Sequence, residues 1–409
     1  MPVVFKTDEK EKEGEEAAGR SDGEDMSRLV KQVSIESPTH KLKECIFNFE
    51  TPMPDTPPAG ARVKVRNAGV CYRLRSASSS SSIKSVEALH CGSPLHHSVR
   101  DTSLFPGYEV AGTVDALGEE VGETDLQPGD RVIVYPYEGH PPGYAEYIAV
   151  PEVQYLIKVP ENMSLSTAAM LPSGALWAMN TVFSAHKHVE KVLAEKGETG
   201  QCKLLLVGTG GLALWAMRIA RFYWPEKRER IIINVACLRD EGISIAHEYL
   251  KVACLRDEGI SIAHEYLKVN VVQWNEDLYE EQLVERTKDA CGGYVDIVID
   301  FSATSRSIRR ALKCLAPDGV LLLSSEHSEG LISRFGPVAE KENHHLIPIE
   351  FGTLNQLRNL VHLVSTGEIE PPPHTIFSAD QANEALAKIG RGIIPGRAIL
   401  EFPDEESEE

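Results

Sequence analysis

CKLLLVGTGGLALWAMRIARF, residues 202–222, decides how this chain folds. The run 204–207 is apolar without interruption and short, the pattern of a strand buried on both faces. It breaks at Gly208-Thr209-Gly210-Gly211-Leu212-Ala213 and resumes with apolar residues at helical spacing, Leu214, Met217, Ile219 and Ala220. Strand, glycine turn and helix together supply the context that a G-x-G-x-x-G/A sequence needs. Gly208 permits a tight turn, Gly210 lets backbone approach a pyrophosphate, and Ala213 is small enough for close packing of helix on strand. Gly208, Gly210, Gly211 and Leu212 are therefore candidate cofactor-binding positions, with the helix N-terminus supplying N–H groups and the positive end of its dipole.

On both sides of this stretch the pattern differs. Upstream, from about residue 28, short runs at 41–48, 61–70, 106–114, 126–134 and 141–150 are punctuated by proline and glycine, as half-buried strands are. Residues 163–188 read as helix, with Ser164 or Ser166 as N-cap. Downstream, apolar runs at 231–235, 269–274, 295–301 and 319–324 alternate with helical stretches at 278–288 and 305–315. That alternation argues for a parallel, doubly wound sheet. Helices at 354–365 and 378–388, a loop over EIEPPPH and a strand at 397–402 close the pattern.

Composition bounds the rest. The 409 residues suggest two domains, and 42% hydrophobic with 25% charged residues is ordinary for a globular chain. Residues 1–26 hold nine acids against four bases, and 404–409 hold five acids, so the tails carry −10 of the net −19. Segments 1–27 and 404–409 read as acidic disordered tails. Such a balance repels a phosphate backbone, so nucleic acid is not an expected partner. No apolar run reaches the ~18 residues of a membrane span, and the charged start is no signal peptide. Eight cysteines without a C-x-x-C pair read as reduced thiols, which points to the cytoplasm. Two oddities remain. The serine-rich segment 76–85 reads as a loop insertion. VACLRDEGISIAHEYLK occupies 235–251 and, unchanged, 252–268, which is a recent duplication or an assembly error rather than a structural repeat.

With the chain in this order, AGVC (68–71), PGYEVAGTV (106–114), PGDRV (128–132), YAEY (144–147), AAMLPSGALWA (168–178), GTGGLA (208–213), VIDF (298–301) and IPGRAIL (394–400) resemble the medium-chain dehydrogenase/reductase superfamily, its zinc-type alcohol dehydrogenase branch most closely. The resemblance implies an α/β chain. A GroES-like β-rich catalytic domain (28–173 and 348–403) is split around an inserted Rossmann domain (174–347). It implies hydride exchange between NAD(P)(H) and a small carbonyl, enone, quinone or alcohol, and a homodimer or homotetramer.

The family's zinc ligands are a cysteine, a histidine and a second cysteine. By resemblance they fall at Cys71, Tyr108 and Ser173, and two hydroxyls are poor neutral zinc ligands, so zinc is not expected. Residues 136–144 lack the cysteines of the structural zinc lobe. His96, His97, His140 and Cys91 are the residues from which a site could be rebuilt. Where the family places a proton-relay hydroxyl the chain has Arg73. Tyr108, Ser173, Cys71 and Arg73 are thus the candidate catalytic positions, each with packing or surface as its alternative. Trp177, near the nicotinamide position, either packs in the core or fills the substrate end. NAD sites commonly end the second Rossmann strand with an acid. Here that position falls at Ala236 or Cys237, followed by Arg239, with Arg256 its duplicate. The missing carboxylate favours NADP(H) over NAD(H), although Arg239 has a solvated helix-start role as its alternative. Arg397 matches the family arginine that faces the pyrophosphate; a surface salt bridge is the other reading. A chain that binds dinucleotide or a protein without turnover is the rival function.

Overall fold

The computed structural model describes residues 29–36, 44–70, 103–104, 107–137, 140–141, 143–225, 229–237, 270–274, 279–323, 328–391, 394 and 396–403. Both acidic tails, the serine-rich segment and all but the first three residues of the tandem lie outside them. Eight described strands precede the stretch 202–222: β1 (Leu29–Glu36), β2 (Glu44–Pro52), β3 (Ala61–Val70), β4 (Ser103–Leu104), β5 (Val110–Leu117), β6 (Arg131–Val134), β7 (Tyr147–Val150) and β8 (Leu156–Lys158). Six more follow with helices between them: β9 (Cys202–Val207), β10 (Ile231–Cys237), β11 (Asn270–Gln273), β12 (Val295–Asp300), β13 (Leu315–Leu323) and β14 (His345–Pro348). Two close the chain, β15 (His374–Ser378) and β16 (Arg397–Glu401).

The run 204–207 sits in the middle of a six-stranded sheet ordered β11-β10-β9-β12-β13-β14, with every pairing parallel. Its uninterrupted apolar character follows from that position, because both faces of the sheet are covered. Leu204 and Leu206 point into a cluster with α2 (Leu176–Glu195) and α3 (Gly211–Tyr223). Leu205 and Val207 point the other way, to Ile308, Leu312 and Phe335. The strand order reverses between β9 and β12, which opens a crevice at the carboxyl ends of these strands, where open α/β sheets bind ligands.

The second large sheet runs β15-β16-β3-β5-β6-β8, with β7 added on β3. Alternation along β3 turns Val63 and Val65 inward onto Val114, Val132 and Ile148. β16, nearly 330 residues after β3, pairs antiparallel with it, so the last strand completes the sheet that β3 begins. A small sheet, β2-β1-β4, stands beside it. No helix among the described residues is long and apolar enough to cross a membrane.

The helix expected over 163–188 is two helices. Ser164 is the N-cap, its side chain accepting from the Thr167 N–H, and α1 (Leu165–Ala169) ends almost at once. A wide turn, Leu171–Ala175, follows before α2. Pro172 explains the break, since it has no N–H to continue the ladder. In the C-terminal segment, helix Leu354–Ser365 is where the sequence puts it, but the expected loop ends in β15 and the next helix is Ala382–Arg391. Helix Ser328–Lys341 and β14 have no counterpart in the sequence reading: Gly330, Gly336 and the internal Pro337 obscure the helical period.

Candidate active site

Beyond β9 the backbone turns at Gly208, whose φ of 116° lies in the left-handed region that a side chain strains. The Gly208 N–H donates to the Ala236 carbonyl at 2.8 Å, which ties the turn to the end of β10. Gly210 caps α3 without a side chain, and the first turn of α3 contains no acid. A Cβ built on Gly210 would meet nothing within 4 Å. The space on the Cβ side of Gly210, at the positive end of the α3 dipole, is therefore open. Leu212 in this turn is half-buried against the core. Beside it, β10 ends at buried Cys237, whose Sγ is 3.5 Å from Thr209 Oγ1. No carboxylate closes this strand among its described residues. Arg239 and Arg256 lie outside the described residues.

Gly211 serves a different purpose. A Cβ there would collide with the Arg397 side chain at Cδ, so the missing side chain is what lets Arg397 lie across the start of α3. Arg397 opens β16, and its guanidinium Nη2 donates to Glu109 Oε2 in a buried ion pair, the two side chains 7% and 3% exposed. The other Glu109 oxygen accepts from the Gly174 N–H at 2.8 Å, in the wide turn before α2. Gly69 on β3 is packed on the same carboxylate, and a Cβ there would overlap it. One ion pair thus joins β3, β16, the segment before β5, the turn before α2 and the N-terminus of α3. Arg397 is accordingly no surface salt bridge.

Tyr108 and Ser173 are neighbours of this knot along the chain. Tyr108, next to Glu109, is 8% exposed, and its ring centroid lies 5.0 Å from that of His140. Ser173, next to Gly174, is 4% exposed within the wide turn. Wider helical turns of this kind recur at functional sites. The Glu109 carboxylate holds the two segments together and so brings both hydroxyl-bearing residues to one region. Cys71 and Arg73, the remaining catalytic candidates, lie outside the described residues, as do Cys91, His96 and His97. Trp177 belongs to the core: it is 2% exposed and edge-on to Phe351 at 5.6 Å.

His140 is buried, and its Nδ1 lies 2.7 Å from the Pro141 carbonyl. Burial pulls its pKa down from 6.5 to about 4. Sequence reading does not pair Glu109, which stands in the same PGYEVAGTV motif as Tyr108, with Arg397. An acid inside an otherwise apolar strand entry was the available signal.

Residues 57–161 match the alcohol dehydrogenase GroES-like domain family, and residues 275–400 match the zinc-binding dehydrogenase family. The chain is 23% identical over 386 residues to an NAD-dependent alcohol dehydrogenase of Sulfolobus acidocaldarius, covering 88% of this chain and 97% of that one. It is 23% identical over 322 residues to a D-arabinose 1-dehydrogenase (NADP(+)) of Saccharolobus solfataricus, covering 73% and 81%. The solved quinone oxidoreductase from Coxiella burnetii shares the fold, with a TM-score of 0.61 and 19% identity over 91% of this chain and 99% of that one. The chain belongs to the medium-chain dehydrogenase/reductase superfamily. It is an alcohol dehydrogenase-like oxidoreductase by family, and its relatives are named for NAD and for NADP alike. In this medium-chain dehydrogenase/reductase the space a Cβ would take at Gly210 is open, and the first turn of α3 carries no acid, the two features that phosphate binding at a helix start requires.

Proposed function

We propose that the chain is an NADP(H)-preferring, zinc-independent oxidoreductase that moves hydride to or from a small carbonyl, enone, quinone or alcohol. The observation that carries this reading is the open cradle at Gly210, lined by the start of α3 and backed by the Arg397–Glu109 pair. Preference for NADP(H) is supported by β10 ending in Cys237, so that among its described residues no carboxylate stands at the strand end to repel a 2′-phosphate. Arg239, or its duplicate Arg256, is the cation proposed to pair with that phosphate.

Zinc independence is supported by the chemistry of the donor set. A catalytic zinc takes three nitrogen, sulfur or carboxylate donors from the protein. Two of the three inherited positions hold the hydroxyls of Tyr108 and Ser173, and Glu109 is engaged by Arg397 and Gly174. No step is therefore routed through a metal. The nicotinamide would supply or accept the hydride when the cofactor is bound. Arg397 and Gly211 fix the helix start that receives its phosphates. Tyr108 and Ser173 are proposed to donate hydrogen bonds to the substrate oxygen as charge develops there, with Cys71 and Arg73 as the further candidates. Catalytic segments 28–173 and 348–403 around cofactor segment 174–347, a homodimer or homotetramer, and a cytoplasmic location belong to the same proposal.

A fluorescence titration with NADPH and NADH tests the reading directly. Tighter NADPH binding is expected; equal affinities would remove the argument from β10, and no binding of either would remove the enzyme. Metal analysis should find less than one zinc per chain, and a stoichiometric, tightly held zinc would overturn the metal-free chemistry. NADPH consumption across carbonyl, enone and quinone substrates then separates an enzyme from the second reading, a dinucleotide-binding descendant without turnover. That second reading is favoured by the same observation, the two hydroxyls standing at ligand positions.

A further inference from the structure

Beside Tyr108, two buried polar atoms on adjacent rings have no hydrogen-bond partner among the described residues: His140 Nε2 and the Tyr137 hydroxyl. The ring centroids are 5.3 Å apart, and the His140 N–H donates to the Tyr137 carbonyl at 3.1 Å, which fixes the two residues relative to each other. Tyr137 is further held by stacking on Tyr155 at 4.4 Å. The His140 tautomer follows from its other nitrogen. Nδ1 meets the Pro141 carbonyl, which can only accept, so Nδ1 carries the proton. Burial keeps the ring neutral, so Nε2 presents a bare lone pair.

Buried polar groups in folded proteins are nearly always paired, and an orphan calls for an explanation such as a ligand or an ordered water. Here the two orphans are complementary: Nε2 can only accept, and a phenol can donate. A ketone, enone or carboxylate has no proton to offer Nε2, and an ammonium, although it could donate to both Nε2 and the phenol oxygen, would bury an unpaired charge. A neutral hydroxyl group donates to Nε2 and accepts from the phenol without that cost. The pair adjoins the proposed oxyanion donor through the Tyr108–His140 ring contact at 5.0 Å.

We propose that Tyr137 and His140 form a subsite for a hydroxyl group of the substrate, so that the preferred substrates are hydroxylated ketones, aldehydes or polyols rather than plain carbonyl compounds. Calling the hydroxyl bearer a substrate rests on the oxidoreductase reading; the subsite itself does not. In this subsite the ligand hydroxyl donates to His140 Nε2 and accepts from the Tyr137 O–H. Neither residue is a catalytic residue here: both position the ligand through a group away from the reacting carbon.

The test is ¹⁵N NMR of the full-length chain labelled at histidine, with His140 assigned by the loss of its signals in His140→Gln. Erythritol is the probe, and 2-butanone, which only accepts, is the control. A saturable shift of the Nε2 resonance with erythritol and none with 2-butanone is expected. Tyr137→Phe should weaken erythritol binding about tenfold while NADPH affinity and the thermal midpoint stay unchanged. The proposal is overturned if Nε2 does not move with erythritol. It is equally overturned if Nε2 is already hydrogen-bonded in buffer and erythritol does not displace the donor, which marks a buried water. An Nε2 response in a chain that binds neither NADPH nor NADH would keep the subsite and sink the oxidoreductase reading. NADPH binding without the response would do the reverse.

Discussion

Replacing Glu109 by glutamine tests the joint on which the site depends. Glutamine keeps the volume, so no cavity opens, but one face of its amide is a donor. If the amide oxygen faces the Gly174 N–H, the NH₂ is turned toward the Arg397 guanidinium; if flipped, it opposes Gly174. Either way the charge on Arg397, whose side chain is 7% exposed, loses its counter-ion. Removing one partner of a buried ion pair costs about 3–5 kcal/mol. At 1.36 kcal/mol per decade that is a shift in the unfolding equilibrium of roughly a hundredfold to several thousandfold. Urea denaturation followed by tryptophan fluorescence reads it, since Trp177 and Trp215 are 2% and 0% exposed and report core opening. The midpoint should fall at unchanged m value. Replacing both partners together, Glu109→Met with Arg397→Met, should recover most of the loss, because buried pairs exchanged for apolar residues are often neutral. A single-variant loss of about 1 kcal/mol or less would refute the reasoning, as that is the size of an exposed pair.

Other expected outcomes follow from the same geometry. Gly210→Ala should unfold like the parent, because its Cβ enters open space at an ordinary φ of −77°, yet bind NADPH at least tenfold more weakly in the fluorescence titration; unchanged affinity would clear Gly210 of the cradle. Gly208→Ala should lose about 1–3 kcal/mol in urea, from forcing a side chain to φ 116°. His140 makes the acid limb of stability steep. Its folded pKa of about 4 is below the unfolded 6.5, so its contribution is complete above pH 6.5 and lost as pH falls from there toward 4. The full loss is about 3 kcal/mol. His140→Leu should flatten that limb in pH-resolved melts, with His188, His344 and His374, all shifted in the same direction by burial, supplying what slope remains.

The sequence by itself determined the parallel sheet and the glycine turn. These are written in local pattern: apolar runs, helical spacing, and residue types at motif positions. It also narrowed the cap to Ser164 or Ser166, of which the structure uses Ser164, and placed the helix at Leu354–Ser365, because both depend on residues within a turn of each other. Where proline and glycine interrupt the period, as at Pro172 and Pro337, local reading lost the element. Only the tertiary structure decided that Glu109 meets Arg397 across 288 residues, that Gly211 is small for the sake of an arginine, and that Trp177 is core. The fate of His140 was equally out of reach. A lone histidine in a short polar loop carries no periodic signal, and its burial depends on aromatic rings brought from Tyr108 and Tyr137. Spacing along a chain states which side chains share a face; which charge loses water beside which partner is fixed only when distant segments close.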